Sequence, residues 1–188
     1  LNGDGYMDVI STSTHTCKIA YYLNDGSQNF TTTSDCISTS NSIGNVYSLF
    51  AFDVDNDGDI DVLSAGDMDD RIAWHESNGH PTNPAFTNHT ITTSADGATS
   101  VYAVDMDNDG DIDVLSASEA DDKIAWYDNN GSQSFTARTI TTSADGPYSV
   151  FAIDLDHDGD MDVLSASTND DKIAWYENTT AAPDTPTF

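Results

Sequence analysis

Asp53-Val-Asp-Asn-Asp-Gly-Asp-Ile-Asp61 recurs as Asp105-Met-Asp-Asn-Asp-Gly-Asp-Ile-Asp113 and again as Asp154-Leu-Asp-His-Asp-Gly-Asp-Met-Asp162. The copies begin 52 and 49 residues apart. Leu1-Asn-Gly-Asp-Gly-Tyr-Met-Asp8 aligns with Val54 to Asp61 and forms a fourth, shortened copy. Self-similarity at a period near 50 residues marks an array of supersecondary units.

After each acidic loop comes a short apolar stretch such as Asp113-Val-Leu-Ser-Ala117. A polar turn follows, and then Ile72-Ala-Trp-His75, Ile124-Ala-Trp-Tyr127, Ile173-Ala-Trp-Tyr176 or Ile19-Ala-Tyr-Tyr22. These runs are short and partly β-branched, with Gly-containing or acidic loops between them, which is the pattern of strands. In Lys123 to Tyr127 the faces alternate, with Ile124 and Trp126 on one side. No stretch sustains a helical apolar period. One unit predicts four strands: Val101–Asp105, Asp113–Ser116, Lys123–Tyr127 and Phe135–Ile140. Four antiparallel strands per repeat of about 50 residues match a β-propeller blade. Such a blade needs a neighbour on each face.

The predicted fold is all-β: four-stranded antiparallel blades of a β-propeller, forming one repeat array over 1–188. Blade 1 is partial and spans 1–45. Blades 2 and 3 span 46–97 and 98–146, and blade 4, also partial, spans 147–188. Strand counting expects three, four, four and three strands, with the first strand of blade 1 and the fourth of blade 4 missing. The chain reads as a window cut from a longer array; strands supplied by another chain are the alternative.

The loop places Asp at positions 1, 3, 5, 7 and 9 and Gly at 6. A hard cation such as Ca²⁺ takes six to eight oxygens at about 2.3–2.6 Å in flexible geometry. Alternating carboxylates on a turning chain can aim side chains 1, 3 and 5 at one point. Gly58, Gly110 and Gly159 permit the turn. Position 7 then offers its backbone carbonyl and the carboxylate at 9 closes the shell. Without a cation, two carboxylates 4 Å apart repel by about 4 kcal/mol at an effective dielectric of 20. An EF-hand is rejected, because its acidic position 12 is here Ser64, Ser116 or Ser165 and its flanking helices are strands. Mg²⁺ fits less well, since it prefers a strict octahedron and keeps several waters.

The expected cofactor is Ca²⁺ at three full sites and one partial site. The first is Asp53, Asp55, Asp57, Asp59 and Asp61. The second is Asp105, Asp107, Asp109, Asp111 and Asp113, and the third Asp154, Asp156, Asp158, Asp160 and Asp162. The partial site is Asn2, Asp4, Tyr6 and Asp8. Tyr6, Asp59, Asp111 and Asp160 are expected to ligate through backbone carbonyls, with the three aspartate side chains in water.

Composition poses a conflict that these loops resolve. The chain has 188 residues, 33 acidic and 5 basic side chains, and a formal charge of −28. Leu, Ile, Val and Phe total 35, a low aliphatic content that with high charge is typical of disorder. Yet 7 Phe, 8 Tyr and 3 Trp are many for a disordered acidic segment. Seventeen of the 33 acids lie in the four loops. The composition is that of a metal-dependent fold counted without its metal. Such a charge disfavours nucleic acid and anionic membrane surfaces as partners. No apolar run approaches the roughly 20 residues that span a bilayer, so neither nucleic-acid binding nor membrane insertion is expected.

The motif Asp-x-Asp-x-Asp-Gly-x-x-Asp within a four-stranded repeat resembles the FG-GAP/VCBS family. That family includes the calcium-binding blades of integrin α-subunit propellers and many secreted bacterial repeat proteins. The resemblance covers essentially the whole chain. It implies a propeller with calcium loops between the first and second strands of each blade, an extracellular or cell-surface setting, and adhesion or ligand binding. The chain lacks the Phe-Gly…Gly-Ala-Pro signature of the integrin members and is closer to the bacterial branch. An integrin-like partner is therefore not implied.

Other candidate sites are weaker. Lys18, Arg71, Lys123 and Lys172 share one register, and the last three follow Asp-Asp directly; local pairing is expected. A second metal site at Asp69-Asp70, Asp121-Asp122 and Asp170-Asp171 is the rival reading. Trp74, Trp126 and Trp175 sit mid-strand, where blade-to-blade packing is favoured over sugar stacking. His15, His89 and His157 show no ligand spacing, and His157 occupies the variable position 4 of its loop; His75 replaces a Tyr found in the other repeats, and His80-Pro-Thr-Asn-Pro84 lengthens one loop. No nucleophile–base pair or phosphate loop stands out, so no enzyme activity is expected. Cys17 and Cys36 suggest a disulfide in a secreted chain, with two separate thiols as the alternative. Asn29, Asn88, Asn130 and Asn178 head sequons at about the frequency chance provides.

The sequence-level expectation is a non-catalytic extracellular module whose partner is a glycan or a protein. Two alternatives stand beside it. One is a structural subunit of a surface fibre, self-associating so that neighbouring chains complete its blades. The other is the accessory propeller of a larger secreted polysaccharide-active enzyme.

Overall fold

A computed structural model describes residues 1–13, 19–38, 45–81, 84–179 and 185–188. Among these residues there are fourteen strands and no helix. The first sheet holds β1 (Val9–Thr12), β2 (Ile19–Asn24) and β3 (Phe30–Ser38). The second holds β4 (Val46–Phe52), β5 (Asp61–Gly66), β6 (Arg71–Ser77) and β7 (Phe86–Thr92). The third holds β8 (Ala98–Val104), β9 (Asp113–Ser118), β10 (Lys123–Asn129) and β11 (Phe135–Thr141). The fourth holds β12 (Pro147–Ile153), β13 (Asp162–Ser167) and β14 (Lys172–Tyr176). Each sheet is an antiparallel meander in chain order. The expected count of three, four, four and three strands is met.

Strand ends differ from the sequence reading by up to three residues, and the largest difference, at the start of β8, has a bulge as its cause. β8 begins at Ala98 rather than Val101, and its register with β9 slips between Ala98 and Ser100. The same slip falls between Val46 and Ser48 and between Pro147 and Ser149. The extra residue of such a bulge is left out of the ladder and locally breaks period-two alternation. That hides the first turn of the strand from a pattern reading. Thr99, the extra residue in the third sheet, shares its one hydroxyl hydrogen between the Pro147 carbonyl at 2.9 Å and the Ala117 carbonyl at 3.2 Å.

The sheets stack face to face, and each core lies between two of them. Leu63, Ala65, Ile72 and Trp74 of the second sheet pack on Val101, Ala103, Val114, Ala125 and Tyr127 of the third. Leu115, Ala117, Ile124 and Trp126 of the third pack in the same way on Val150, Ala152, Val163 and Tyr176 of the fourth. Ile19 and Tyr21 join the first sheet to Val46 and Val62 of the second. First strands lie beside first strands, and each receives a hydrogen bond from its neighbour. Val101 N–H donates to Ser48 Oγ and Val150 N–H to Ser100 Oγ, both at 3.3 Å. Along their free edge an aromatic row runs from Phe50 through Tyr102 to Phe151, with ring centroids 4.6 and 4.9 Å apart.

The repeat tryptophans divide according to whether a sheet covers them. Trp74 and Trp126 are 2% and 1% exposed, whereas Trp175 is 45% and Ile173 75% exposed. Burying a large side chain fully is worth about 1.5–3 kcal/mol, and truncating a buried aromatic costs about 3–5 kcal/mol. Trp126→Ala is expected to destabilise the chain by about 3–5 kcal/mol and Trp175→Ala by about 1 kcal/mol or less. Urea unfolding of the two variants checks this, and equal losses would contradict the packing described.

Candidate metal centre

Each acidic loop joins the first strand of a sheet to its second. The loop 53–61 links β4 to β5, 105–113 links β8 to β9, and 154–162 links β12 to β13. The turn needs left-handed backbone twice. Position 6 supplies it with Gly58, Gly110 and Gly159 at φ of 95°, 96° and 100°. Position 4 supplies it with Asn56, Asn108 and His157 at 60°, 58° and 66°. Asn and His are among the few side chains enriched in that region.

The conformation gathers carboxylates. In the first loop one oxygen each of Asp53, Asp55 and Asp57 lies within 4.8 Å of the others. In the third loop Asp154, Asp156 and Asp158 do the same, and in the second the trio is Asp105, Asp107 and Asp113. Oxygens around one Ca²⁺ lie no more than about 5 Å apart, twice its usual bond length. The spacing therefore fits such an ion, and a donor set made only of oxygen suits a hard cation. A further sign is Asp154 Oδ1, which is buried and accepts no hydrogen bond.

Backbone N–H groups shape the cluster. Gly58 N–H donates to Asp53 Oδ2 at 3.0 Å, and Asp57 N–H to Asp53 Oδ1 and Asp55 Oδ1 at 3.1 and 3.3 Å. The second loop repeats this with Gly110 on Asp105 and Asp109 on Asp105 and Asp107. Burial pushes the carboxyls of Asp55 and Asp105 above their usual range. Burial, with the charge of Asp109 beside it, raises Asp107 to about 6.

Position 9 has a role the sequence did not disclose. Asp61, Asp113 and Asp162 are 0%, 1% and 0% exposed. Asp61 accepts Val54 N–H at 3.1 Å from its own loop and Ser77 N–H at 2.7 Å from the end of β6. Asp113 takes Met106 and Asn129 N–H, and Asp162 takes Leu155 and Asn178 N–H, at 2.7–3.1 Å. The carboxylate thus clamps the loop to the third strand. Burial raises Asp61 to about 6 and Asp113 to about 7. The indoles of Trp74 and Trp126 counter that rise without meeting full hydrogen-bond geometry. Asp113 joins its cluster, while Asp61 and Asp162 stand outside the trios of their loops.

The position-7 side chains are half-buried rather than immersed in water. Asp59 lies over Gly79 and Asp111 over Gly131, where any Cβ would collide with the carboxylate. Tyr6 covers Gly26 in the same way. The partial loop is organised by Asp4, which accepts Tyr6 N–H at 2.9 Å and the Asn2 amide at 3.0 Å and is held below the usual carboxylate range by them. Asp8 accepts Leu1 N at 2.9 Å and Asn24 N–H at 2.9 Å. No third carboxylate joins Asp4 and Asp8 among the described residues.

The Asp-Asp turns serve the fold. Asp70 Oδ1 accepts Gly97 N–H at 3.2 Å and Asp122 Oδ1 accepts Gly146 N–H at 3.0 Å, each across to the entry of the next sheet. Asp69 pairs with Arg71 at 3.5 Å and Asp121 with Lys123, as local pairing predicted. Sequence reading missed a Ser–His–Asn chain: Ser64 Oγ meets His75 Nε2 at 2.9 Å, and His75 Nδ1 meets Asn88 Oδ1 at 2.6 Å. Ser64 and His75 are 1% and 0% exposed. Ser116–Tyr127 and Ser165–Tyr176 fill the same places at 3.1 and 3.2 Å. The chain is a strand-to-strand hydrogen bond in a variant form. Lys18, His15 and Cys17 lie outside the described residues; Cys36, in β3, is not a free thiol.

Folding raises the pKa of Asp61, Asp107 and Asp113 to about 6, 6 and 7. The folded metal-free state therefore binds more protons than the unfolded one between the ordinary carboxylate range and these values. Stability present at the acidic end is lost as pH rises through about 6–7. Metal-stripped protein is expected to unfold at lower urea at pH 8 than at pH 5. A midpoint that rises with pH would contradict the burial of these carboxyls.

A family model described as an FG-GAP-like repeat matches the chain three times, over residues 1–64, 53–116 and 105–165. Each match after the first begins at the first aspartate of an acidic loop. No curated protein matches the chain.

Proposed function

The chain belongs to the FG-GAP-like repeat family, and on that premise we propose that it is a non-catalytic, extracellular calcium-binding module that presents a surface to a glycan or protein ligand. The observation that carries this reading is the threefold gathering of Asp oxygens within 4.8 Å, each time including positions 1 and 3 of the loop, at the same corner of successive sheets. Bound Ca²⁺ would supply the positive charge that these carboxylates lack. The residues that would hold it are Asp53, Asp55 and Asp57 in the first loop, Asp105, Asp107 and Asp113 in the second, and Asp154, Asp156 and Asp158 in the third.

The ion's task in this reading is structural. Extracellular calcium modules bind with Kd of about 10⁻⁴–10⁻³ M. At tenfold excess over Kd one site adds about 1.4 kcal/mol. Three sites together add about 4 kcal/mol, close to the lower end of a small domain's whole stability of about 5–15 kcal/mol. The expected result is a Tm that falls by 10 °C or more in excess EGTA and recovers with Ca²⁺ but not with equimolar Mg²⁺. An unchanged melting curve in EGTA would refute calcium dependence.

Sheet stacking supports extension of the array into a propeller or a fibre. Ile173 and Trp175 repeat the Ile and Trp that the next sheet covers at Ile72, Trp74, Ile124 and Trp126. The outer face of the fourth sheet is thus shaped for another sheet of this kind, from the same polypeptide or a neighbouring copy. Sedimentation of the 188-residue chain distinguishes the two. Association that Trp175→Asp abolishes identifies a neighbouring copy, and a monomer at every concentration excludes one.

A further inference from the structure

Position 4 of the first two full loops has no assigned place in a metal shell, yet its side chain is directed at the next loop. Asn56 Nδ2 donates to the Gly110 carbonyl at 3.2 Å. Asn108 Nδ2 donates to the Gly159 carbonyl at 3.4 Å. The two bonds are equivalent, since each runs from position 4 of one loop to position 6 of the next.

The peptide unit that receives the bond also holds a carboxylate. The Gly110–Asp111 peptide accepts Asn56 at its oxygen and, through Asp111 N–H, donates to Asp109 Oδ1 at 2.9 Å. The Gly159–Asp160 peptide accepts Asn108 and donates to Asp158 Oδ1 at 3.0 Å. Hydrogen bonds in series polarise one another, so a donor on the carbonyl strengthens the N–H on the other side. The donor is itself set by its own loop. The peptide following Asn56 donates through Asp57 N–H to Asp53 and Asp55, and the peptide following Asn108 through Asp109 N–H to Asp105 and Asp107. These are the carboxylates that a cation would draw together.

We infer that Asn56 and Asn108 are positioning residues that couple the metal loops, so that calcium in one loop raises the affinity of the next. The inference rests on the calcium reading proposed above. Ordering Asp53 and Asp55 fixes the backbone at Asn56. The Asn56 amide then fixes the Gly110–Asp111 peptide, which orients Asp109, the residue whose own N–H bonds the trio members Asp105 and Asp107. Asn108 passes the same constraint to Asp158. The coupling is reciprocal, because it is a free energy shared by both sites. One exposed neutral hydrogen bond sets its size at about 2- to 10-fold in affinity.

The test is a double-mutant cycle on the whole chain, with the amide NMR signals of Gly58, Gly110 and Gly159 followed through a titration with Ca²⁺ alone. Asp55→Asn weakens the first loop. Asn56→Gly removes the amide and keeps positive φ without strain. Asn56→Asp keeps a side chain suited to that backbone but has no N–H to donate. In the wild-type background Asp55→Asn is expected to weaken calcium binding at Gly110 by about 2- to 10-fold. In the Asn56→Gly or Asn56→Asp background it is expected to have no further effect there. Asp107→Asn with Asn108→Gly, read at Gly159, repeats the cycle for the second link. Loops that titrate independently in the wild type, or an Asp55→Asn effect that is the same with and without Asn56, would overturn the coupling while leaving calcium binding intact. If no glycine amide responds to Ca²⁺, the calcium reading itself fails and the coupling falls with it.

Discussion

The structure turns on the mutual repulsion of carboxylates held at the corners of its sheets. Each full loop carries five aspartates in nine residues. At 4 Å and an effective dielectric of 20, one pair of such charges costs about 4 kcal/mol. Backbone N–H groups offset part of this, as Gly58 and Asp57 do for Asp53. They leave the clusters with raised pKa values and with Asp154 Oδ1 unsatisfied. A divalent cation is the economical remedy. Each acidic corner is tied to its own sheet through position 9, where one buried carboxylate bonds both the loop and the chain at the end of the third strand.

That tie explains why metal loop and apolar core recur together. The third strand that Asp113 holds through Asn129 N–H is the strand that carries Ile124 and Trp126 into the core. The low aliphatic content of the chain is workable under this arrangement. The interfaces are built mostly from Ala, Val, Ile and Leu around one or two buried aromatic rings each, and their strands are positioned by backbone N–H bonds to buried carboxylates.

Much of this was legible in the sequence, for a reason that is physical. A loop that must place oxygens around a point tolerates few residue types, so Asp at alternate positions and Gly at 6 survive in every full copy. Period-two alternation is equally constrained in β10, where Ile124 and Trp126 face one core and Ala125 and Tyr127 another. Features set by tertiary contact were not legible. The bulge at Tyr47, Thr99 and Tyr148 has no common residue type. Asp59 packs over Gly79, twenty positions away, and nothing local marks that partnership. Asn56 reads as a variable spacer until the next loop is seen beside it. His75 reads as a break in the repeat, although it keeps the hydrogen bond that Tyr127 makes to its serine.

The central claim is that these loops are cation sites on which the fold depends. The most direct measurement is equilibrium dialysis of the metal-stripped chain against Ca²⁺, with the bound ion counted per chain. The account predicts three ions per wild-type chain at saturation, and two after Asp107→Asn with Asp113→Asn removes the second loop's site. A saturating stoichiometry of zero, or three ions still bound by that double variant, would contradict it.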